Sequence, residues 1–302
     1  MVDSKKDSKI TEDNVKIKIL IFYHKKTVLL KNDICVPIHC GRDLILKSLS
    51  YNTVLRRDLN WMLKNLVGDN TGDNISKLNK KFCEMTGMYW AWKNYDKIGN
   101  PDYIGFMHYR TLFNLTPYYG FDNNYMTSCG YTKENLYPLL KSYKYIGTCS
   151  FKYDVNSYEK YKELQQWGGD IVFYDTFLEI LKEKYPEDYT DFVNWNKQQE
   201  TGPYKNMFIT SKEEFFKYSE WIFLKLLELD KRMADYPYQK HPGAVRSIAW
   251  LSEIVTSFYF WRLGKTCEHK EFYTFRPVVE QHEHKFITSL HQKYINIKRR
   301  LF

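Results

Sequence analysis

The hydrophobic pattern divides the chain before any composition is counted. Residues 1–15 are polar and charged, which predicts a disordered leader with too little apolar surface to pack. The run Lys16–Tyr23 (KIKILIFY) is β-branched and apolar, then turns polar at His24 and Lys25, as in a buried parallel strand that ends at a ligand crevice. Tyr103–Met107 (YIGFM) repeats the pattern and runs into His108, Tyr109 and Arg110. Between these runs, Lys80–Lys97 places Phe82, Met85, Tyr89, Trp90 and Trp92 on apolar positions of one predicted helix, with Asn79 as its N-cap. Further on, Thr176–Lys184 reads as a helix and Met207–Thr210 as a short strand. Ser211 and Glu214 form a capping box for a long helix carrying Phe215, Phe216, Trp221, Ile222 and Leu226, and Pro242 opens another helix to about Trp261. Strands and helices alternate without a repeat or linker. The predicted fold is therefore one α/β domain over 16–283, with a central mostly parallel sheet flanked by helices and a helical C-terminal part.

The final stretch, 284–302, combines Lys285, Lys293, Lys298, Arg299 and Arg300 with Phe286, Ile287, Leu290, Tyr294, Ile297 and Leu301 at near-helical spacing. This predicts a basic amphipathic helix suited to the anionic inner face of a membrane, although a helix packed on the body with a solvated basic face has the same pattern. No segment has the roughly 18 apolar residues of a membrane span, and the N-terminus lacks the apolar core of a signal peptide, so a cytoplasmic protein is expected. Six cysteines without a C-x-x-C pair indicate neither a zinc ribbon nor a disulfide framework. The formal charge of +9 favours anionic partners, but no nucleic-acid motif organises it, so nucleic acid is not an expected partner. Aromatics reach 18%, with 26 Tyr and 8 Trp, and flat amphipathic rings suit sugar surfaces; an AT-rich genome would raise Tyr and Phe as well.

Two strands ending in His-Lys and His-Tyr-Arg point to one crevice, where Arg110, with His108, Tyr109, His24 and Lys25, can face a phosphorylated ligand. His108 as a core histidine and Arg110 as a structural ion-pair partner is the competing assignment. The loop Gly68–Ser76 packs turn formers with Asp69 and Asp73; Lys80 stands where a calcium loop needs glutamate, so no EF-hand is expected, and a substrate-facing loop near the donor or an ordinary exposed turn remain. Arg246, Trp250 and Glu253 fall at i, i+4 and i+7 of the predicted last helix and share a face, where they can hold phosphate, stack on sugar and accept a proton. Asp170, after Gly168 and Gly169, is the second candidate base. The chain contains no D-x-D, so no metal ligand is assigned and charge stabilisation by cationic side chains, without a divalent cofactor, is expected.

These motifs, taken in order, resemble a bacterial exopolysaccharide, capsule and O-antigen glycosyltransferase family long catalogued as a domain of unknown function, with galactofuranosyltransferases among its members. The matching stretches are ILIFYHK at 19–25, VPIHCGR at 36–42, GDNTGDNIS at 68–76, CEMTGMYWAWKN at 83–94, YIGFMHYR at 103–110 and NMFI at 206–209, followed by Arg246 and SEIV at 252–255. The resemblance implies a GT-A-like fold. It implies a UDP-sugar donor, with galactofuranose or galactose as the sugar, a glycan or lipid-linked glycan acceptor, and inversion at the anomeric carbon. His39, Asp69 and Asp73 join the donor-binding candidates, while Trp90, Trp250 and Asn206 become candidates for acceptor or sugar binding. Two departures, Thr111 after His-Tyr-Arg and Ile254 after Ser-Glu, bear on donor or acceptor preference. A retaining hexosyltransferase and a non-catalytic carbohydrate-binding protein are the alternatives.

Overall fold

The computed structural model describes residues 10–47, 53–120, 122–152, 155–199 and 201–277. The predicted basic helix at 284–302 lies outside these residues, as do residues 1–9. Of residues 10–15, assigned above to the leader, Val15 is fully buried and the Tyr137 hydroxyl donates to the Ile10 carbonyl, while residues 10–14 are exposed.

Nine strands are described: β1 (Ile17–Tyr23), β2 (Cys35–His39), β3 (Val67–Gly68), β4 (Tyr103–His108), β5 (Leu112–Phe113), β6 (Tyr145–Thr148), β7 (Phe208–Ser211), β8 (Lys270–Phe272) and β9 (Thr274–Phe275). Seven form one sheet in the order β3-β2-β1-β4-β7-β6-β8, and β5 pairs with β9 apart from it. All neighbours in the large sheet run parallel except β7, which is antiparallel to both β4 and β6. The expected mostly parallel sheet is therefore present. The strands around its centre are apolar on both faces: Leu20 and Phe22 of β1 enter one core, while Ile19, Ile21 and Tyr23 enter the other.

Chain order sets the crevice. From β1 the sheet grows outward through β2 and β3 on one side, then resumes with β4 on the other side of β1. Ligands of open α/β sheets bind beyond the strand C-termini at such a reversal, here between His24 after β1 and His108 at the end of β4. The reversed β7 adds a third contributor. Phe208 pairs with Phe106, so the residues preceding β7 arrive at this same edge.

The Glu214 carboxylate is taken by the Tyr259 hydroxyl and Lys144, so of the predicted capping box the N-cap half is present, with Ser211 accepting from the Glu214 amide ahead of the helix Lys212–Arg232. The single helix predicted over 80–97 is not. It is split into helices Asn79–Phe82 and Met85–Lys93 and a 3-10 turn Tyr95–Ile98. The first break sits at Cys83, whose φ of 47° is unfavourable for a side chain with a Cβ. Asn79 is not the predicted cap; its side-chain amide donates to the Cys83 carbonyl and to Thr86 Oγ1, tying off the break.

Candidate functional site

A cleft of about 770 Å³ opens where these features converge. β1 brings His24, β4 brings His108, Tyr109 and Arg110, the helix break brings Lys80, Cys83 and Glu84, and the turn before β7 brings Lys205. A 3-10 turn, Pro242–Arg246, supplies Arg246, and the helix Ser247–Gly264 supplies Glu253. Arg276 completes the lining.

The turn before β7 is held in an uncommon conformation. Lys205 and Asn206 have φ of 61° and 53°, and such pairs persist only where the surroundings over-determine them. His108 is one restraint: its Nε2 lies 2.7 Å from the Lys205 carbonyl oxygen, which can only accept, so Nε2 carries the proton. Asn206 is the other. Fully buried, it donates from Nδ2 to Glu84 Oε1 at 2.7 Å and to Ser252 Oγ, and its Oδ1 accepts from Thr256 at 2.7 Å. Asn206 thus offers no free edge to a sugar, contrary to its assignment as a sugar contact. It fixes Glu84.

The cleft is cationic. Five Lys or Arg side chains (Lys80, Arg110, Lys205, Arg246, Arg276) line it against two carboxylates, Glu84 and Glu253. His24 registers this field: enclosure, then the charges of Arg110, Lys25 and Arg246, push its pKa down to about 4, so it is neutral at pH 7. Tyr109 forms the local floor, stacked on Tyr23 at 5.1 Å and met edge-on by His24 at 5.5 Å, with the Arg110 guanidinium 5.4 Å from its ring centre. Lys25 lies 5.9 Å from the same ring.

The two carboxylates are the unusual element. Burial, and next the neighbouring Glu84, push the Glu253 carboxyl up to about 8 against the opposing pull of Lys205 and Arg246. The Lys205 backbone N–H donates to it. An acid poised near neutrality at the wall of a cationic cleft is suited to exchanging a proton with a bound hydroxyl. Glu253 also lines a second, adjoining pocket of about 380 Å³ together with Trp250. The Arg246 guanidinium sits 5.5 Å from the Trp250 ring, so the predicted trio is held together, although Arg246 belongs to the turn ahead of the helix.

The remaining candidates lie elsewhere, and the reasons are local. Trp90 is a core residue, 1% exposed, with its indole N–H bonded to Thr71; it offers no face to a ligand. Asp69 is fully buried and saturated by four donors: the Gly41 and Arg42 amides and the Ser76 and Thr86 hydroxyls, at 2.6–3.1 Å. It ties the β2 and β3 loops together and does not line the cleft. His39, fully buried at the end of β2, accepts from Arg42 Nε. Asp73 sits on an exposed loop and accepts from Tyr89. Asp170 accepts from the Tyr236 hydroxyl and the Val172 amide and lies outside the cleft lining. Sequence reasoning overlooked Lys80, Glu84, Lys205 and Arg276. A signal existed for Glu84 and Lys205, which stand in or next to the quoted CEMTG and NMFI stretches.

Among the described residues no cluster of three or more His, Cys, Asp or Glu side chains is arranged around a metal position, and no helix is long and apolar enough to cross a membrane.

The chain belongs to a family described as a domain of unknown function, DUF4422, whose model matches residues 18–264. That span holds every cleft residue named above except Arg276. Among solved structures, the chain is similar to the apo structure of WbbM, a bifunctional glycosyltransferase, with 27% identity and a TM-score of 0.69. The match covers 86% of this chain and 45% of that one, so the chain spans a little under half the length of WbbM. A search of curated proteins found no match.

Proposed function

We propose that this chain is a glycosyltransferase that moves a hexosyl group from a nucleotide-diphosphate sugar to a glycan acceptor in bacterial surface-polysaccharide synthesis. The observation that carries the reading is the cleft itself: Arg110, Arg246 and Lys205 converge at the switch point of the sheet, opposite a carboxylic acid tuned toward neutrality. The likeness to a bifunctional glycosyltransferase supports the same class. In this reading the arginines and Lys205 neutralise the charge that develops on the departing diphosphate, and Arg binds such groups through paired donors. Glu253 takes the proton from the acceptor hydroxyl as that oxygen attacks the anomeric carbon, giving a single displacement with inversion. Glu84 keeps the proton affinity of Glu253 high, and Asn206 keeps Glu84 in place. UDP-galactofuranose or UDP-galactose is the proposed donor, on the motif resemblance.

Charge stabilisation by side chains makes a divalent metal unnecessary in this scheme. The test is mass spectrometry after incubation with a panel of nucleotide sugars, with and without EDTA. Transfer or slow hydrolysis of one UDP-hexose that persists in EDTA is expected. Turnover lost in EDTA and restored by manganese would overturn the metal-independent part, and absence of turnover with every donor would overturn the whole reading.

A further inference from the structure

Among the described residues, two neighbouring cavities of about 380 Å³ each have no part in the donor reading. The first shares Glu253 with the cationic cleft and presents Trp250, Tyr204 and Tyr161, with Ser157 and Ser257 among its hydroxyls. The second presents Phe151, Trp261, Lys152 and Lys265. Both are lined by Thr201.

The partition between them is built. The Phe151 amide donates to Thr201 Oγ1 at 2.8 Å, and the Thr201 amide donates back to the Phe151 carbonyl at 3.1 Å. Gly202 follows, its amide donating to Ser257 Oγ at 2.7 Å, with the Ser257 carbonyl where a Cβ would stand. The aromatic surface is continuous across this strap: Tyr204 meets Phe151 edge-on at 5.2 Å, and Trp195 under the first cavity lies 6.3 Å from Trp261 in the second. Lys205 stands 5.0 Å over the Tyr204 ring, so the row starts at the cationic cleft. Phe151 is 40% exposed, an apolar ring left facing the cavity.

We propose that these two cavities form one acceptor groove for an oligosaccharide, with the first sugar between Trp250 and Tyr204 beside Glu253 and a following sugar on Phe151 and Trp261. The occupant is argued from chemistry. Flat rings alternating with hydroxyl and lysine side chains match the apolar faces and outward hydroxyls of a sugar chain, and the volumes fall in the roughly 300–1,000 Å³ range of small-ligand sites. Continuity with Glu253 gives direction: a hydroxyl of the first sugar is the one presented to the base. The acceptor is therefore at least two sugars long, and its second sugar contributes to binding without approaching the reacting atoms. This rests on the glycosyltransferase reading for the role of the groove, but its test does not require turnover.

The probes are fluorescently tagged galacto-oligosaccharides of one to four residues, titrated against the full chain and followed by anisotropy and saturation-transfer NMR. Affinity is expected to rise by roughly 3- to 10-fold between one and two or three residues, the worth of an added aromatic contact. Trp261→Ala should remove that gain and leave the monosaccharide Kd unchanged; Trp250→Ala should weaken every length. Phe151→Ala, a change at an exposed ring, should reproduce the Trp261→Ala effect if that variant folds poorly. Binding that does not strengthen with length, or a gain that survives both Phe151→Ala and Trp261→Ala, overturns the groove. Donor hydrolysis, measured separately on the unaltered chain, reports on the glycosyltransferase reading, so the two can fail independently.

Discussion

Asp69 is a fully buried carboxylate and Glu253 a partly buried one, and their surroundings hold them in opposite ways. Around Asp69 four donors converge, two backbone amides and two hydroxyls, and the region it holds together is loop and helix termini. Around Glu253 the environment is incomplete: one backbone amide donates, a second carboxylate crowds it, and the cations that counter it also face an open cleft. A buried carboxylate with its lone pairs filled stabilises the fold by fixing its donors. One left short of partners is costly to ionise, and natural proteins keep such groups where the proton is used. The two carboxylates therefore differ in their partners as well as in their exposure, Asp69 being fully buried and Glu253 only partly so.

The comparison breaks most directly at Glu253. Glu253→Gln keeps the shape and the contact from the Lys205 amide but removes basicity, so kcat should fall by about 10²- to 10⁴-fold with donor affinity nearly unchanged. Its melting temperature should be equal or higher. A folded Glu253→Gln enzyme with near-normal kcat would show that the under-partnered acid is not the base. Arg110→Ala follows in size: a lost contact to developing phosphate charge is worth about 10²- to 10³-fold in rate, and Arg110→Lys should recover little because a point charge does not replace the paired donors. Donor titration and circular dichroism separate this from unfolding.

The opposite outcome is expected at Asp69. Asp69→Ala orphans buried donors, each costing about 1–3 kcal/mol, so stability should drop by about 3 kcal/mol or more in urea titrations. Any enzyme that remains folded should keep its kcat. Loss of activity in Asp69→Ala without loss of stability would mean that this carboxylate too has a role in the cleft.

Much of this was legible before the structure, and the exceptions have a common cause. The strands β1 and β4 and their polar ends follow from continuous apolar runs, and the helix at Lys212 follows from its cap. These are local signals. The break at Cys83 is not, because a positive φ at a residue with a Cβ is imposed by Asn79 and by packing, where sequence periodicity continues straight through. The reversal of β7, which delivers Lys205 to the cleft, is a matter of sheet order that no local pattern encodes. Trp90 and Asp69 stand in the quoted motifs, and membership of a motif does not say whether a side chain meets the core or the ligand. Glu84 went unnoticed for the converse reason: its position depends on Asn206, 122 residues away.

Glu84 supplies the finest test of the comparison. If the high proton affinity of Glu253 arises partly from this neighbour, Glu84→Gln should lower it, since the substitution removes a negative charge while Asn206 can still donate to the remaining carbonyl oxygen. In the proposed reaction the base must be ionised to act, so an acidic limb of the kcat profile near pH 8 is expected from Glu253 and should move to lower pH by about one pH unit in Glu84→Gln. Stability changes with the same sign. A carboxyl whose folded pKa stands above its ordinary 4.5 leaves stability intact below pH 4.5. Between there and about 8 the unfolded chain has released the proton and the folded chain has not, so stability falls as pH rises through that window. Glu84→Gln should flatten this decline and Glu253→Gln should flatten it further, both visible as melting temperatures that converge with the unaltered protein only at pH 4.5 or below. An acidic limb that stays in place in Glu84→Gln, with an unaltered slope of stability against pH, would reduce Glu84 to a partner of Asn206 and leave burial alone as the reason Glu253 holds its proton.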